Sequence, residues 1–165
     1  MRAPSHLKAA VVALMKALLT ALLMPAIVAV AADTPSNMGA EPDRLASPRA
    51  AVAAQDWDRA IRELQSLLQT DPGNADIHNL LGFSYRKRPA PDMPKAFFHY
   101  HEALRINPAH RTAREYLGEA YVQVGQLDKA REQLDAIERL CGRECEEYRD
   151  LAAAMAGTQP PAKRW

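Results

Sequence analysis

The chain has 165 residues, of which 48% are hydrophobic and 25% charged, and its 21 basic and 20 acidic residues give a formal net charge of +1. This length holds one domain and little else, and the composition is ordinary for a globular protein. The near balance of charge argues against the strongly basic surface that nucleic-acid binding requires, so we expect no nucleic-acid partner.

The first predicted element is an apolar segment near the N-terminus. Residues 17–30 read ALLTALLMPAIVAV, and the few charged residues that precede Asp33 are all basic. Small residues end this run, as in a secretory signal peptide cleaved after Ala31 or Ala32. The alternative is a retained membrane anchor, but the apolar run is shorter than the roughly 20 residues that a membrane-spanning helix needs. We therefore predict a signal peptide over 1–31, a periplasmic mature protein and no membrane span in the mature chain.

The rest of the chain divides into a central helical part and two polar ends. Residues 32–46 and 157–165 are polar and rich in Pro, Gly or charged residues, which predicts a flexible linker and a disordered tail. Between them the apolar residues follow a helical period, without the alternation that is typical of strands. We therefore predict one all-α domain over 47–156.

Three similar segments follow one another in this domain. They begin at Asp56 (DWDRAIRELQSLLQTDPGNAD), Asp92 (DMPKAFFHYHEALRINPAHRT) and Gln126 (QLDKAREQLDAIERLCGREC). Equivalent positions are 36 and then 34 residues apart, which indicates a unit of 34 residues with a two-residue insertion in the middle copy. The domain is thereby divided into three repeats and a capping helix, at about residues 41–74, 75–110, 111–144 and 144–156.

This pattern resembles the tetratricopeptide repeat family, whose unit is 34 residues of helix–turn–helix. The middle copy carries the Leu-Gly pair at Leu81 and Gly82 and the alanine at Ala96. The resemblance implies a short α-solenoid of about three repeats, in which Gly82 and Gly118 let the two helices of each hairpin approach closely. The segment from Glu144 then covers the last repeat, with Leu151 on its apolar side and Asp150 on its polar side.

The insertion in the middle copy lies in the turn RKRPAPDMP. Three prolines in this turn prevent a continuous helix. Asp92 is placed to cap the following helix, and Pro94 suits its first turn. We therefore expect one helix to end before this turn and the next to begin within it.

The histidines do not form a recognisable metal or catalytic site in the sequence. His99 and His101 are two residues apart and face different sides of a helix, whereas ligand pairs on a helix need a spacing of three or four. His78 occupies a column in which the family often has a large aromatic residue, so we expect it to be packed. No P-loop, GxSxG, dinucleotide or HExxH motif is present. We predict no catalytic residue, metal or cofactor and a protein that is not an enzyme.

The two cysteines flank the turn between the last repeat and the capping helix, in the sequence CGREC. In an exported protein, Cys141 and Cys145 are expected to form a disulfide that fastens this helix to the repeats. Gly142 can adopt the positive φ that ends a helix. The alternative is a redox- or metal-handling protein that works through this pair.

The resemblance also implies where a partner would bind. In this family the first helices of the repeats line a concave groove that accepts a peptide or a partner helix. The aligned groove residues of the second and third repeats are Asp76, Asn79, Leu80, Phe83, Arg86, Lys87, Thr112, Glu115, Tyr116, Glu119, Val122 and Gln123. The first repeat adds Arg49, Val52 and Ala53.

Phe83 and Tyr116 are the candidate aromatic anchors of this groove. Its columns differ from those of the members that bind acidic chaperone tails, because Leu80, Thr112 and Tyr116 stand where those members use Asn and Lys or Arg. We therefore predict a scaffold or assembly factor that binds a protein or peptide of another kind, and the sequence leaves the oligomeric state open.

Overall fold

The structure, a computed structural model, describes residues 43–158. These residues form seven α-helices and no strand, which confirms the predicted all-α helical repeat. The predicted signal peptide and most of the predicted linker and tail lie outside the described residues. The helices are α1 (Ala46–Ala53), α2 (Trp57–Thr70), α3 (Ala75–Lys87), α4 (Met93–Ile106), α5 (Arg111–Gln123), α6 (Leu127–Cys141) and α7 (Glu146–Met155).

Four helices begin at a side chain that accepts a hydrogen bond from the backbone of the first turn. Asp56, Asn74, Asp92 and His110 play this part for α2, α3, α4 and α5. Each such cap satisfies an amide that has no partner within the helix and contributes about 1 kcal/mol. The predicted cap at Asp92 is confirmed, and Pro94 lies in the first turn of α4.

The helices pack in chain order as stacked hairpins. Each helix contacts the next, α3 also contacts α5, and α7 contacts both α5 and α6. A contiguous core runs along the stack, with buried side chains on successive helices at Leu64, Leu81, Tyr100, Leu117 and Ala130. One hairpin cannot bury its apolar face alone, so the contacts between neighbouring hairpins stabilise the fold.

Two glycines allow close helix contacts. A Cβ atom at Gly82 would lie 2.7 Å from the ring of Tyr100 on α4, so this glycine brings the two helices of the middle hairpin together, as predicted. A Cβ atom at Gly118 would lie 2.5 Å from Leu151. Gly118 therefore makes room for the capping helix α7 rather than for α6, the partner expected from the sequence.

The capping helix α7 seats Leu151 in the interior, where it is fully buried. Asp150 is also buried, with 4% of its surface exposed. The prediction that Asp150 lies on a polar outer side is wrong, because α7 packs against both α5 and α6 and two contacting helices leave less of it exposed.

The longest described helix, α6, has 15 residues. Within residues 43–158 no helix combines the length and the apolar character that crossing a membrane requires.

Candidate partner-binding face

The residues predicted to line the groove lie on α3 and α5, and the structure separates them by burial. Six of them are buried, namely Asn79, Leu80, Phe83, Arg86, Glu115 and Tyr116. The other six are exposed or half-buried, namely Asp76, Lys87, Thr112, Glu119, Val122 and Gln123. We call these last six the α3/α5 surface. In the first repeat Val52 is buried, Arg49 half-buried and Ala53 exposed.

The two helices of this surface run in the same direction. The first turn of α3 meets the start of α5 where Nε2 of His110 lies 3.1 Å from Asp76. Near the other end of α3, Arg86 contacts Glu119 of α5. With a rise of 1.5 Å per residue, Asp76 and Lys87 lie about 16 Å apart along α3. The surface therefore has an acidic group at one end and a basic group at the other.

The two predicted aromatic anchors contact each other. The ring centroids of Phe83 and Tyr116 are 4.7 Å apart, and Trp57 and Tyr100 extend the cluster on either side. Only 7% of Phe83 and 1% of Tyr116 is exposed. Aromatic side chains bury a large apolar area when neighbouring helices close on them, so these rings support the surface from below. Direct contact of either ring with a partner stays a prediction.

Arg86 is the buried charge beneath the α3/α5 surface. Its guanidinium donates to Glu119 at 2.5 Å and to the hydroxyl of Tyr100 at 3.2 Å, and it lies over the rings of Phe83 and Tyr116 at 5.5 and 5.8 Å. Burial opposes its charge, but Tyr100 and Glu119 outweigh burial and raise the pKa of Arg86. Arg86 is therefore a fixed cation that ties the second repeat to the third.

The burial of Tyr100 has an electrostatic consequence of its own. Removal from water disfavours the phenolate and raises the pKa of Tyr100 to about 12, although Arg86 acts in the opposite direction. The hydroxyl therefore stays protonated and accepts the hydrogen bond from Arg86 at neutral pH.

Asp76 and His110 form the second link between these repeats. Because Nδ1 of His110 accepts the backbone proton of Ala113, its ring carries a proton on Nε2 and donates it to Asp76. This hydrogen bond lowers the pKa of Asp76, with burial opposing and the charge of Arg49 assisting. The acidic end of the surface is thus a carboxylate held in place by α5.

Two histidines of the middle repeat contact each other. The Nδ1 atoms of His78 and His99 lie 3.0 Å apart, and both rings are buried. Since the carbonyl of Pro72, 3.3 Å from His78, can only accept, His78 donates from Nε2 and accepts the proton of His99 at Nδ1. The two residues are on different helices, and the α3–α4 hairpin brings their positions into register. His101 lies apart from them, 3.3 Å from the hydroxyl of Tyr121.

The two cysteines meet at the start of the capping helix. Their Cα atoms are 6.0 Å apart, a separation that suits a disulfide, and the structure joins the two sulfur atoms. Cys145 is the N-cap residue of α7 and Gly142 adopts a φ of +77°, as predicted for this turn. The oxidation state of the pair in solution stays a prediction.

A third potential ligand, Glu147, stands beside these sulfurs. One of its carboxylate oxygens lies within 4.8 Å of the sulfur atoms of Cys141 and Cys145, and the carboxylate is 3.6 Å from Arg111. Glu147 was not predicted as part of this cluster, although its position two residues after Cys145 was a signal.

Comparison with known proteins gives the family. Two models described as tetratricopeptide repeat match residues 49–92 and 92–155. This chain belongs to the tetratricopeptide repeat family. The fold has no strand within the described residues and carries the repeats that the sequence predicts.

One curated relative and two solved structures are similar to this tetratricopeptide repeat protein. The uncharacterized protein ycf37 of Pyropia yezoensis is 30% identical over 115 residues, which are 64% of this chain and 64% of that protein. The chain thus matches less than two thirds of that relative's length.

Among the solved structures, the first tetratricopeptide repeat domain of Spaghetti (RPAP3) bound to the HSP90 peptide SRMEEVD is 18% identical, with a TM-score of 0.57 over 67% of this chain and 90% of that one. A mutant of MamA is 22% identical, with a TM-score of 0.53 over 69% of this chain and 64% of that one. At these identities the two structures show a shared tetratricopeptide repeat fold.

Membership of this family supports a general statement about function. Tetratricopeptide repeats are protein-interaction folds that bind protein or peptide partners on an extended surface.

Proposed function

We propose that this chain is a non-enzymatic interaction module, a scaffold or assembly factor, that holds a segment of a partner protein on the α3/α5 surface. The observation that supports this proposal most directly is the Arg86–Glu119 pair, which links the two helices of this surface from below. A surface whose supports are fixed before binding loses less conformational entropy when a partner docks. The peptide bound to the similar Spaghetti domain supports a peptide-binding role for this fold.

The charges of the surface suggest the chemistry of the partner segment. Asp76 marks one end, and Lys87, whose ammonium lies 5.9 Å from the ring centroid of Phe83, marks the other. An extended segment covers the roughly 16 Å between them with about five residues, at about 3.3 Å per residue. We therefore infer a segment with a basic group facing Asp76, an acidic group facing Lys87 and small or apolar residues between them.

We also propose that the mature protein works in the periplasm. The support is the order of basic residues, apolar run and small residues that precede Asp33. A fractionation experiment with the full chain tests this location. The mature form should appear in the periplasmic fraction with Asp33 or Ala32 as its first residue. An uncleaved chain in the cytosolic fraction would contradict this part of the proposal.

The binding proposal is tested by photo-crosslinking in the cells that make the protein. A photoreactive amino acid is placed at Gln123 on the α3/α5 surface, and in a matched variant at Arg62, which is exposed on α2. We expect one partner segment to be crosslinked from position 123, and mass spectrometry of the adduct identifies its sequence. The same adducts in equal yield from both positions would contradict binding at this surface.

A redox- or metal-handling role is the second candidate function. The specific observation in its favour is the carboxylate of Glu147 beside the sulfurs of Cys141 and Cys145. The cluster lies beside Arg111, the residue that follows the histidine bonded to Asp76. Metal binding is measured without a partner segment, so the two functions can be tested separately.

A further inference from the structure

The sulfur atoms of Cys141 and Cys145 and a carboxylate oxygen of Glu147 all lie within 4.8 Å of one another. All three side chains are half-buried, so they are accessible to a small ion without being fully solvated. Within the described residues, this is the one cluster in which three potential metal-ligating side chains come this close. We propose that the reduced pair, together with Glu147, binds a thiophilic divalent cation of the Zn²⁺ class.

The donor set fits this class of ion. Two thiolates and one carboxylate are common ligands of Zn²⁺, whose tetrahedral site then keeps one position for water. The three residues come from a single turn, with Cys141 ending α6, Cys145 capping α7 and Glu147 in the first turn of α7. A Cα separation of 6.0 Å suits two cysteines that share a metal as well as two that share a bond.

The surroundings also suit the charge of such a complex. Two thiolates, one carboxylate and a divalent cation together carry one negative charge, and the guanidinium of Arg111 lies 3.6 Å from Glu147 to balance it. Cys145 stands at the N-terminus of α7, where the helix dipole favours a thiolate. One carboxylate oxygen of Glu147 can stay with Arg111 while the other binds the cation.

Oxidation state controls this site. In the disulfide form neither sulfur is a thiolate, so the cation has no adequate ligands. A phosphine reductant and water convert the disulfide to two thiols and a phosphine oxide, and Zn²⁺ then replaces the two thiol protons, which are released. An added disulfide oxidant takes two electrons from the two thiolates and two protons from water, leaves as two thiols, and sets the cation free as the protein disulfide forms. This inference deepens the second candidate function and does not depend on partner binding.

Co²⁺ absorption and Zn²⁺ competition with a chromogenic chelator test the site in the full chain. The reduced protein should bind one Co²⁺ with thiolate-to-metal charge-transfer absorption in the near ultraviolet, and Zn²⁺ should displace it. The oxidised protein should bind neither ion. Equal binding by both oxidation states, or Co²⁺ spectra without thiolate bands, would overturn the proposal.

Glu147→Gln and Glu146→Gln form the matched pair of variants. Both remove one acidic group from the first turn of α7, but Glu146 is exposed and lies outside the cluster. We expect E147Q to weaken Zn²⁺ binding by about tenfold or more and E146Q to leave it unchanged, with the same far-ultraviolet circular dichroism in both. Equal Zn²⁺ affinities of the two variants would show that Glu147 is not a ligand of the site.

Crosslinking from Gln123 should proceed in E147Q as in the unaltered chain, so the outcome for the metal site is separate from that for the partner surface.

Discussion

The Nδ1 atoms of His78 and His99 lie 3.0 Å apart inside the α3–α4 hairpin, where one ring must donate and the other accept. In this hydrogen bond the accepting nitrogen carries no proton. Burial, assisted by His78, lowers the pKa of His99 to about 4, while the charge of Glu102 opposes the shift and that of Lys95 adds to it. The ring of Tyr85 stacks on His99 and keeps water from one of its faces.

The first prediction concerns the dependence of stability on pH. Because the pKa of His99 is lower in the folded chain, about 4, than in the unfolded chain, about 6.5, the unfolded state binds more protons between these values. The contribution of His99 to the free energy of unfolding is therefore fully present above about pH 6.5 and is lost as the pH falls towards about 4. We expect a loss of about 2 kcal/mol in the free energy of unfolding from pH 7.5 to about pH 5.

His99→Gln tests this assignment by urea denaturation at several pH values. The pKa of His101 is also lowered, through burial and Lys129, but this histidine is present in both proteins and cancels in the comparison. We expect H99Q to be less stable than the unaltered chain at neutral pH and to show a flatter dependence below pH 6.5. An unchanged slope in H99Q would contradict the role of His99.

The second prediction concerns Arg86→Met. Its buried guanidinium contacts Glu119 and Tyr100, and removing one partner leaves the half-buried carboxylate of Glu119 uncompensated. We expect a loss of about 3 kcal/mol in the free energy of unfolding. The control is Arg88→Met, since Arg88 makes only a 4.0 Å ion pair with the exposed Asp58 and should contribute less than about 0.5 kcal/mol. Similar losses for the two variants would show that the buried pair is not specially important.

The third prediction concerns Gly82→Ala. Alanine favours a helix by about 1 kcal/mol relative to glycine, but here its Cβ atom would meet the ring of Tyr100 at 2.7 Å. We expect a net destabilisation of about 1–3 kcal/mol, because the ring is fully buried and cannot move aside. Gly73→Ala, with open space around the new atom, is the control and should be nearly neutral. Thermal denaturation of both variants measures the difference, and a stabilised G82A would contradict the close approach of α3 and α4.

The fourth prediction concerns the disulfide. Joining Cys141 to Cys145 closes a short loop, so the bond should contribute only about 2 kcal/mol. Alkylation of the purified periplasmic protein under denaturing conditions should modify no thiol before reduction and two thiols after it, as read by mass spectrometry. Two thiols that react without reductant would show that the pair is not bridged in the cell.

The repeats, the helical hairpins and the cap at Asp92 could be predicted from the sequence, because they follow from local periodicity and helix-capping chemistry. The partner of Gly118 could not, since the close contact of α7 depends on how the last hairpin presents its outer side. The contact of His78 with His99 depends on the pairing of two helices that are separated by a proline-rich turn.

The burial of residues in the candidate site also could not be predicted from the sequence. The alignment columns of Arg86 and Tyr116 indicate which side of a helix they occupy, and both lie where α3 meets α5. How far that junction closes depends on the angle between neighbouring hairpins, which no single repeat determines. In the structure Arg86 and Tyr116 are therefore buried beneath the α3/α5 surface, and Asp76 and Lys87 are its exposed ends.

The proposed function depends on the binding of a partner segment to the charged ends of the α3/α5 surface. Its most direct test is calorimetric titration of the segment identified by crosslinking, as a synthetic peptide, with the unaltered chain, Lys87→Glu and Lys129→Glu. Lys87 is exposed on the surface, whereas Lys129 is exposed on α6. We predict that K87E raises the dissociation constant about tenfold, equivalent to about 1.4 kcal/mol, while K129E leaves it unchanged. Equal affinities for K87E and the unaltered chain, or equal losses in both variants, would contradict the claim.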